Sequence, residues 1–178
     1  MIACKDADAM VTGNIRHYAA SIEKLKKVTD PRPGEEIFGM TMITLKGKTI
    51  LVADTNVQDF PTPERLVKVS KSCVRVARLF GFDPKVAFLS HSTFGKPISK
   101  NTKHVRDAIE MLKKENVDFD FDGEMQPDVA LNPIYQEIYP FSKIVGNANI
   151  LIMPALHSAA ISTKLMKVFG GGKLIGPL

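Results

Sequence analysis

The sequence predicts a doubly wound α/β domain built on a mostly parallel sheet. Three observations point there. Helix-like and strand-like segments alternate along most of the chain, the strand-like segments in its middle are short apolar runs without a polar face, and glycine or proline marks most of the joins. A strand covered on both faces has no solvent side to populate with polar residues, which separates this pattern from an antiparallel sheet with one wet face.

Taken in order, Ala20, Ile22, Leu25 and Val28 recur at mostly three-residue spacing and predict a helix over residues 17–28, which Asp30-Pro-Arg-Pro-Gly34 stops. Two apolar runs, 38–45 and 49–53, flank Lys46-Gly47-Lys48 and read as a hairpin, the one clear antiparallel pair. Thr62-Pro63 opens a helix expected to reach Phe80: the hydroxyl can cap free amides, and proline at the first helical position gives up no needed donor. Its buried stripe is read as Leu66, Val69, Cys73, Ala77 and Phe80, with Gly81 as terminator. Residues 85–90 form a buried strand, 91–102 a polar loop, 103–115 a helix and 119–121 a strand. A helix over 126–138, a strand over 150–153, a helix over 157–169 and a strand over 173–175 complete the alternation.

Hydrophobic residues make up 44% of the 178 and charged residues 24%, a globular profile and not a disordered one. The net charge of +5 comes from lysines scattered over helix surfaces, so no nucleic-acid stripe is read from it. Two cysteines, Cys4 and Cys73, make no disulfide framework, and no apolar run reaches membrane-spanning length. The expectation is a cytoplasmic protein with neither a nucleic-acid nor a membrane partner. The chain opens almost at once on a polar block and stops as a strand begins, which predicts a piece of a longer polypeptide.

Ligands of open α/β sheets bind beyond the carboxyl ends of the strands. Three loops there carry the candidate chemistry. Ser90-His-Ser-Thr-Phe-Gly-Lys-Pro97 offers hydroxyls, amides and a lysine suited to phosphoryl groups, with Ser92, Thr93 and Lys96 as candidates. Asp122-Gly-Glu-Met-Gln126 places two carboxylates at a strand end, either for acid/base or metal chemistry or as caps of the next helix. Pro154-Ala-Leu-His-Ser-Ala-Ala160 puts His157 at a helix start. With Asn149, the candidate ligand set is Ser92, Thr93, Lys96, Asp122, Asn149 and His157, all expected on one side of the sheet. The four histidines show no metal-ligand spacing, no nucleophile–base pair is visible, and Gly170-Gly171-Gly172 follows a helix where a dinucleotide fingerprint would precede one; no metal or catalytic residue is predicted.

Five blocks in order, Asp6-Ala-Asp-Ala-Met-Val-Thr-Gly13, Leu51-Val-Ala-Asp54, Val86-Ala-Phe-Leu-Ser-His-Ser-Thr-Phe-Gly95, Asp122-Gly-Glu-Met-Gln-Pro-Asp-Val-Ala130 and Gly146-Asn-Ala-Asn149, resemble the phosphate acetyl/butyryltransferase family. Arg16-His-Tyr18 and Met153-Pro-Ala-Leu-His-Ser-Ala160 resemble the variant fused behind the catalytic domains of NADP-dependent malic enzymes. The resemblance implies the isocitrate/isopropylmalate dehydrogenase-like fold of phosphotransacetylases. Residues 1–36 would be the edge of a first subdomain and 37–178 most of a second. It also implies homo-oligomers and a module associated with inhibition by acetyl-CoA, with NADP, a divalent metal and malate decarboxylation belonging to upstream domains. Authentic acyltransferases of this family carry an arginine followed by proline where this chain has Glu23-Lys24, and Ala159-Ala160 replaces their Gly-Asn pair. A carboxylate in place of a bidentate guanidinium repels the phosphoryl group it should clamp, so a regulatory, non-catalytic module is expected, with a working phosphate acyltransferase as the alternative.

Overall fold

A computed structural model describes residues 4–8, 18–31, 33–57 and 59–178. The chain divides into two compact units, Met1–Glu36 and Ile37–Leu178. In the first, helix α1 spans Tyr18–Lys26, and an exposed Lys27–Glu23 ion pair of 3.1 Å bridges one turn; such a pair contributes little to stability. Residues 9–13 and His17 lie outside the described set, so the first sequence block and the start of the predicted helix are described only in part.

The second unit holds a six-stranded sheet. Its elements are β1 (Met40–Leu45), β2 (Lys48–Ala53), α2 (Pro63–Leu79), β3 (Lys85–Leu89), α3 (Lys103–Lys114), β4 (Asp120–Met125), α4 (Pro127–Leu131), β5 (Ile150–Ile152), α5 (Leu156–Val168) and β6 (Lys173–Ile175). The strand order is β4-β3-β5-β2-β1-β6. Pairs β4/β3, β3/β5 and β5/β2 are parallel, as a doubly wound sheet requires. The β1/β2 hairpin closes through Lys46 and Gly47, both at positive φ (49° and 76°), the geometry whose twist matches that of the strands it joins. A second antiparallel pair, β1/β6, was not expected. It follows from the hairpin: β1 is the one reversed strand, so β6, which runs with the parallel set, must meet it antiparallel.

The apolar runs split between two cores by alternation. Val86 and Phe88 of β3 and Ile150 and Ile152 of β5 pack under α2 and α3, whereas Ala87, Leu89 and Leu151 face the layer of α4 and α5. Each fully buried branched or aromatic side chain contributes roughly 1.5–3 kcal/mol, so runs that alternate into two cores anchor both helical layers.

Helix α2 begins as predicted, with the Thr62 hydroxyl accepting the Arg65 N–H at 3.3 Å. It ends in a Schellman motif, Phe82 N–H to Ala77 O at 3.1 Å and Gly81 N–H to Arg78 O at 3.0 Å, with Gly81 at φ +79°. Phe80 is the C-cap and is 53% exposed, so it leaves the predicted stripe: one residue past the last helical turn its side chain no longer points at the sheet. Cys73 is fully buried in that stripe, and desolvation pushes its thiol up from the ordinary range. A thiol-specific disulfide reagent is therefore expected to label the exposed Cys4 in the native chain and Cys73 only after denaturation. Equal labelling rates for both thiols under native conditions would contradict this packing.

The helix predicted over 126–138 stops at Leu131. Asn132 precedes Pro133 and is pushed to an extended backbone (φ −126°, ψ 112°), and its side chain caps the 3-10 turn of Pro133–Gln136 through the Ile134 N–H. The strand predicted over 119–121 instead runs to Met125. Pairing continues past Gly123 with a register irregularity between Phe88 and Leu89, and glycine is needed there because at φ +146° a Cβ would lie 2.6 Å from the Phe88 carbonyl oxygen.

Candidate functional site

The connections around β3 and β5 create the crevice. From β3 the chain leaves through α3 towards β4, and from β5 through α5 towards β6 on the other side of the sheet order. Where adjacent parallel strands send their connections in opposite directions, the loops part and leave a cleft at the carboxyl ends. A cavity of about 880 Å³ sits there, between Ser90 and His91 after β3 and Pro154 to His157 after β5.

Three helix starts converge on it. Pro63 opens α2, Thr102 and Lys103 open α3, and Ala155 precedes α5. Neither Thr102 nor Ala155 caps its helix through a side chain. The positive ends of these helix dipoles therefore lie along the cavity. Lys100, Lys103, His91, His104 and His157 add cationic or N–H donor groups, against one carboxylate in the lining, Asp107, which pairs with Lys103. His104 Nε2 lies 2.9 Å from the Pro154 carbonyl oxygen, which can only accept, so that nitrogen carries the proton and ties α3 to the loop after β5. The Phe60 ring, 73% exposed, lies 5.8 Å from the His157 ring and forms an aromatic wall. The arrangement suits a phosphorylated ligand with a flat apolar group.

Of the six residues singled out from the sequence, only His157 lines this cavity. Ser92 and Thr93 are buried in the loop after β3 and support it from behind. The Ser92 hydroxyl donates to Glu124 at 2.9 Å, and the Thr93 hydroxyl accepts the Gln126 N–H at 3.2 Å. Lys96 is exposed on the turn that Thr93 and Lys96 close by mutual backbone bonds. Asp122 does not cap the following helix: it lies inside β4, where its carboxylate accepts the Lys143 N–H at 2.7 Å and the Gly123 N–H at 2.9 Å. Asn149 precedes β5 and so belongs to the opposite, amino end of the sheet. Its amide accepts from Lys85 N–H at 2.8 Å and donates to Asp83 O at 2.6 Å, stapling β3 to β5.

Glu124, read from the sequence as a strand-end carboxylate, is 1% exposed. Its Oε1 accepts from the Ser92 hydroxyl, the Gly95 N–H at 3.0 Å and Arg106 Nη1 at 3.3 Å. Arg106 also reaches the Ser99 carbonyl at 3.0 Å and the Thr102 hydroxyl. This network holds the whole 90–102 segment, whose two ends line the cavity while its middle turns away. Sequence reasoning missed Phe60, Lys100, Lys103 and His104. The available signal was that helix starts, and not only strand ends, carry residues into such a crevice.

Among the described residues, no group of three or more His, Cys, Asp or Glu side chains is placed to hold a metal ion, and no helix is long and apolar enough to cross a membrane.

The fold and the cleft together define an α/β protein of the phosphotransacetylase type. The chain belongs to the phosphate acetyl/butaryl transferase family, whose model matches residues 1–178. It is 46% identical over 178 residues to an NADP-dependent malic enzyme of Rhizobium meliloti (strain 1021), covering all of this chain and 23% of that protein. It is also 31% identical to a phosphate acetyltransferase of Clostridium acetobutylicum, over 99% of this chain and 56% of that protein. A phosphotransacetylase structure from Streptococcus pyogenes superposes with a TM-score of 0.91 at 29% identity, covering 99% of this chain and 55% of that one. The chain thus spans about a quarter of that malic enzyme and about half of the Clostridium acetobutylicum and Streptococcus pyogenes proteins.

Proposed function

We propose that this chain is the C-terminal, phosphotransacetylase-like regulatory module of a cytoplasmic NADP-dependent malic enzyme, which binds acetyl-CoA or a related CoA ester and does not itself transfer acyl groups. The observation that carries the ligand class is the cleft between the loops after β3 and β5, where helix starts, Lys100, Lys103 and three imidazoles converge beside the Phe60 ring. Phosphoryl groups would meet amides and cations there, and an adenine ring could stack on Phe60. The loop carrying Ser92, Thr93 and Lys96, braced by Glu124, would support the cleft from behind, with His157 in its lining. Asp122 and Asn149 would act at one remove, Asp122 by tying β4 to the Lys143 amide and Asn149 by stapling β3 to β5.

Loss of catalysis is supported by Glu23, which stands where acyltransferases of this family place a phosphate-clamping arginine and instead pairs with Lys27. NADP reduction and metal-assisted decarboxylation of malate would belong to parts of the parent outside this chain. Self-association is supported by an apolar stripe of Ile161, Leu165 and Val168 on α5 and Phe169 at its C-cap, each at least 52% exposed, which a second copy would cover. The second reading, a working phosphate acyltransferase, has the close superposition on a phosphotransacetylase in its favour.

One pair of measurements separates the two. Calorimetric titration with acetyl-CoA is expected to show binding that the double substitution Lys100→Ala/Lys103→Ala weakens by about 1–3 kcal/mol, the effect of losing charge-assisted bonds. Acetyl transfer from acetyl phosphate to CoA is expected to stay below about 1 per second, under the ordinary enzymatic scale. Unchanged affinity in the double variant would remove the ligand from this cleft, and turnover above that rate would establish the acyltransferase.

A further inference from the structure

His104 joins the two walls of the crevice. Its Nε2 donates to the Pro154 carbonyl at 2.9 Å, from the first turn of α3 to the loop after β5. Among the described residues this is the one hydrogen bond between that loop and α3 or the 90–102 segment before it. We propose that His104 is a positioning residue for the aromatic wall of the cleft. It sets affinity for the flat part of a phosphorylated ligand and not for the phosphoryl groups, an inference that rests on the ligand class proposed above.

The wall is made by two rings that packing alone does not hold. Phe60 is largely exposed, His157 is exposed, and their centroids lie 5.8 Å apart. Exposed rings gain little from burial, so their placement depends on the backbone that carries them. Two hydrogen bonds tie that backbone. His104 holds Pro154, and the Leu156 N–H donates to the Asp59 carbonyl at 3.2 Å, which joins the residue before His157 to the residue before Phe60. Releasing His104 therefore loosens the loop that carries one ring and is bonded to the support of the other. A stacking surface ordered before binding spares the ligand the cost of ordering it. The strand below is fixed independently, because the Met153 N–H donates to the Ala53 carbonyl at 2.6 Å. The cations are also anchored elsewhere: Glu124 and Arg106 hold the segment that ends in Lys100, and Lys103 stands on α3 itself.

The test compares ADP, which has phosphoryl groups and a flat ring, with inorganic pyrophosphate, which has no ring. Both are titrated calorimetrically into the full chain, and amide exchange is followed in the ligand-free ¹⁵N-labelled protein. His104→Ala is expected to weaken ADP about two- to tenfold, as loss of one hydrogen bond predicts, and to change pyrophosphate by less than about twofold. The Leu156 amide should exchange faster by a similar factor while the Met153 amide is unchanged. His104→Gln, with an amide N–H at about the reach of Nε2, should restore both readouts, whereas His104→Asn falls one methylene short and should behave as the alanine variant. Equal losses for ADP and pyrophosphate would make His104 a phosphoryl ligand and overturn the proposal. Unchanged Leu156 exchange in His104→Ala, or a glutamine variant no better than asparagine, would overturn it too. A wild-type chain that binds pyrophosphate but not ADP would overturn this proposal alone. One that binds neither up to about 10 mM would overturn the ligand class proposed above and this inference with it.

Discussion

Glu124→Ala is expected to lower the midpoint of thermal unfolding by about 6–20 °C, the largest effect of any single change near the cleft. The reasoning starts from what would be stranded. Glu124 is buried to 1% exposure and is the common acceptor for the Ser92 hydroxyl, the Gly95 amide and the Arg106 guanidinium. Removing one partner of a buried charge pair costs about 3–5 kcal/mol, because the other is left without compensation, and in a domain of this size each kcal/mol corresponds to about 2–4 °C. Glu124→Gln keeps the shape and one acceptor oxygen and should lose roughly half as much, since the bonds to Ser92 and Gly95 can persist while the ionic contribution does not. Circular dichroism melts of both variants provide the check. A loss below about 1 kcal/mol for the alanine variant would mean that the 90–102 segment is held by something other than this carboxylate. Should acetyl-CoA occupy the cleft, Glu124→Gln should also weaken it, because Lys100 and His91 sit at the two ends of the segment that Glu124 anchors.

Asp54→Ala should be nearly as damaging, for a backbone reason. One oxygen of Asp54 accepts three amides, those of Gly39 at 3.0 Å, Asn56 at 3.0 Å and Val57 at 3.1 Å, and the other meets Arg65 at 3.4 Å. Arg65 in turn donates to the Ile37 carbonyl at 2.6 Å. A single side chain thus ties the entry to β1, the exit from β2 and the first turn of α2. Stranding partly buried amides and a guanidinium that is itself only 11% exposed costs about 3–5 kcal/mol. Asp54→Asn, which preserves an acceptor for the amides, is expected to recover about half of that. Urea denaturation should show the midpoint fall with an unchanged m-value, because the change lies in the native state. An equal loss in both variants would place the dominant contribution in the charge and not in the amides.

These two carboxylates mark how far the residues could be read. Asp54 and Glu124 both stand in blocks that carry the family resemblance, yet nothing in the local pattern says that either is buried. The sequence puts Glu124 in a loop, 122–126, beyond a strand expected to end at Phe121. Only the pairing of β4 with β3, continued across the irregularity at Phe88, extends the strand and turns the carboxylate inward. Asn149 flanks a strand, which is why it joins the ligand candidates, but it precedes β5 and therefore meets the opposite end of the sheet. His157 lies in the lining of the crevice because a residue just after a strand and at a helix start has one possible end to occupy. Phe60, Lys100, Lys103 and His104 could not be assembled beforehand, since each belongs to a different connection and no short-range spacing relates them.

What the sequence determined by itself was local and periodic. Thr62-Pro63 and Gly81 bound α2, Lys46-Gly47 closes the hairpin, and the unbroken apolar runs at 86–89 and 150–152 demand a sheet covered on both faces. Caps, turns and burial periodicity act over a few residues, so their energetics are written in consecutive positions. Tertiary structure alone decided the strand order β4-β3-β5-β2-β1-β6 and hence the crevice between β3 and β5. It also placed the histidines and lysines that line that crevice and buried Glu124 and Asp54. Each of these depends on which distant segments pair. That choice is made by the summed burial of two cores and the satisfaction of buried polar groups, quantities that no single stretch of residues contains.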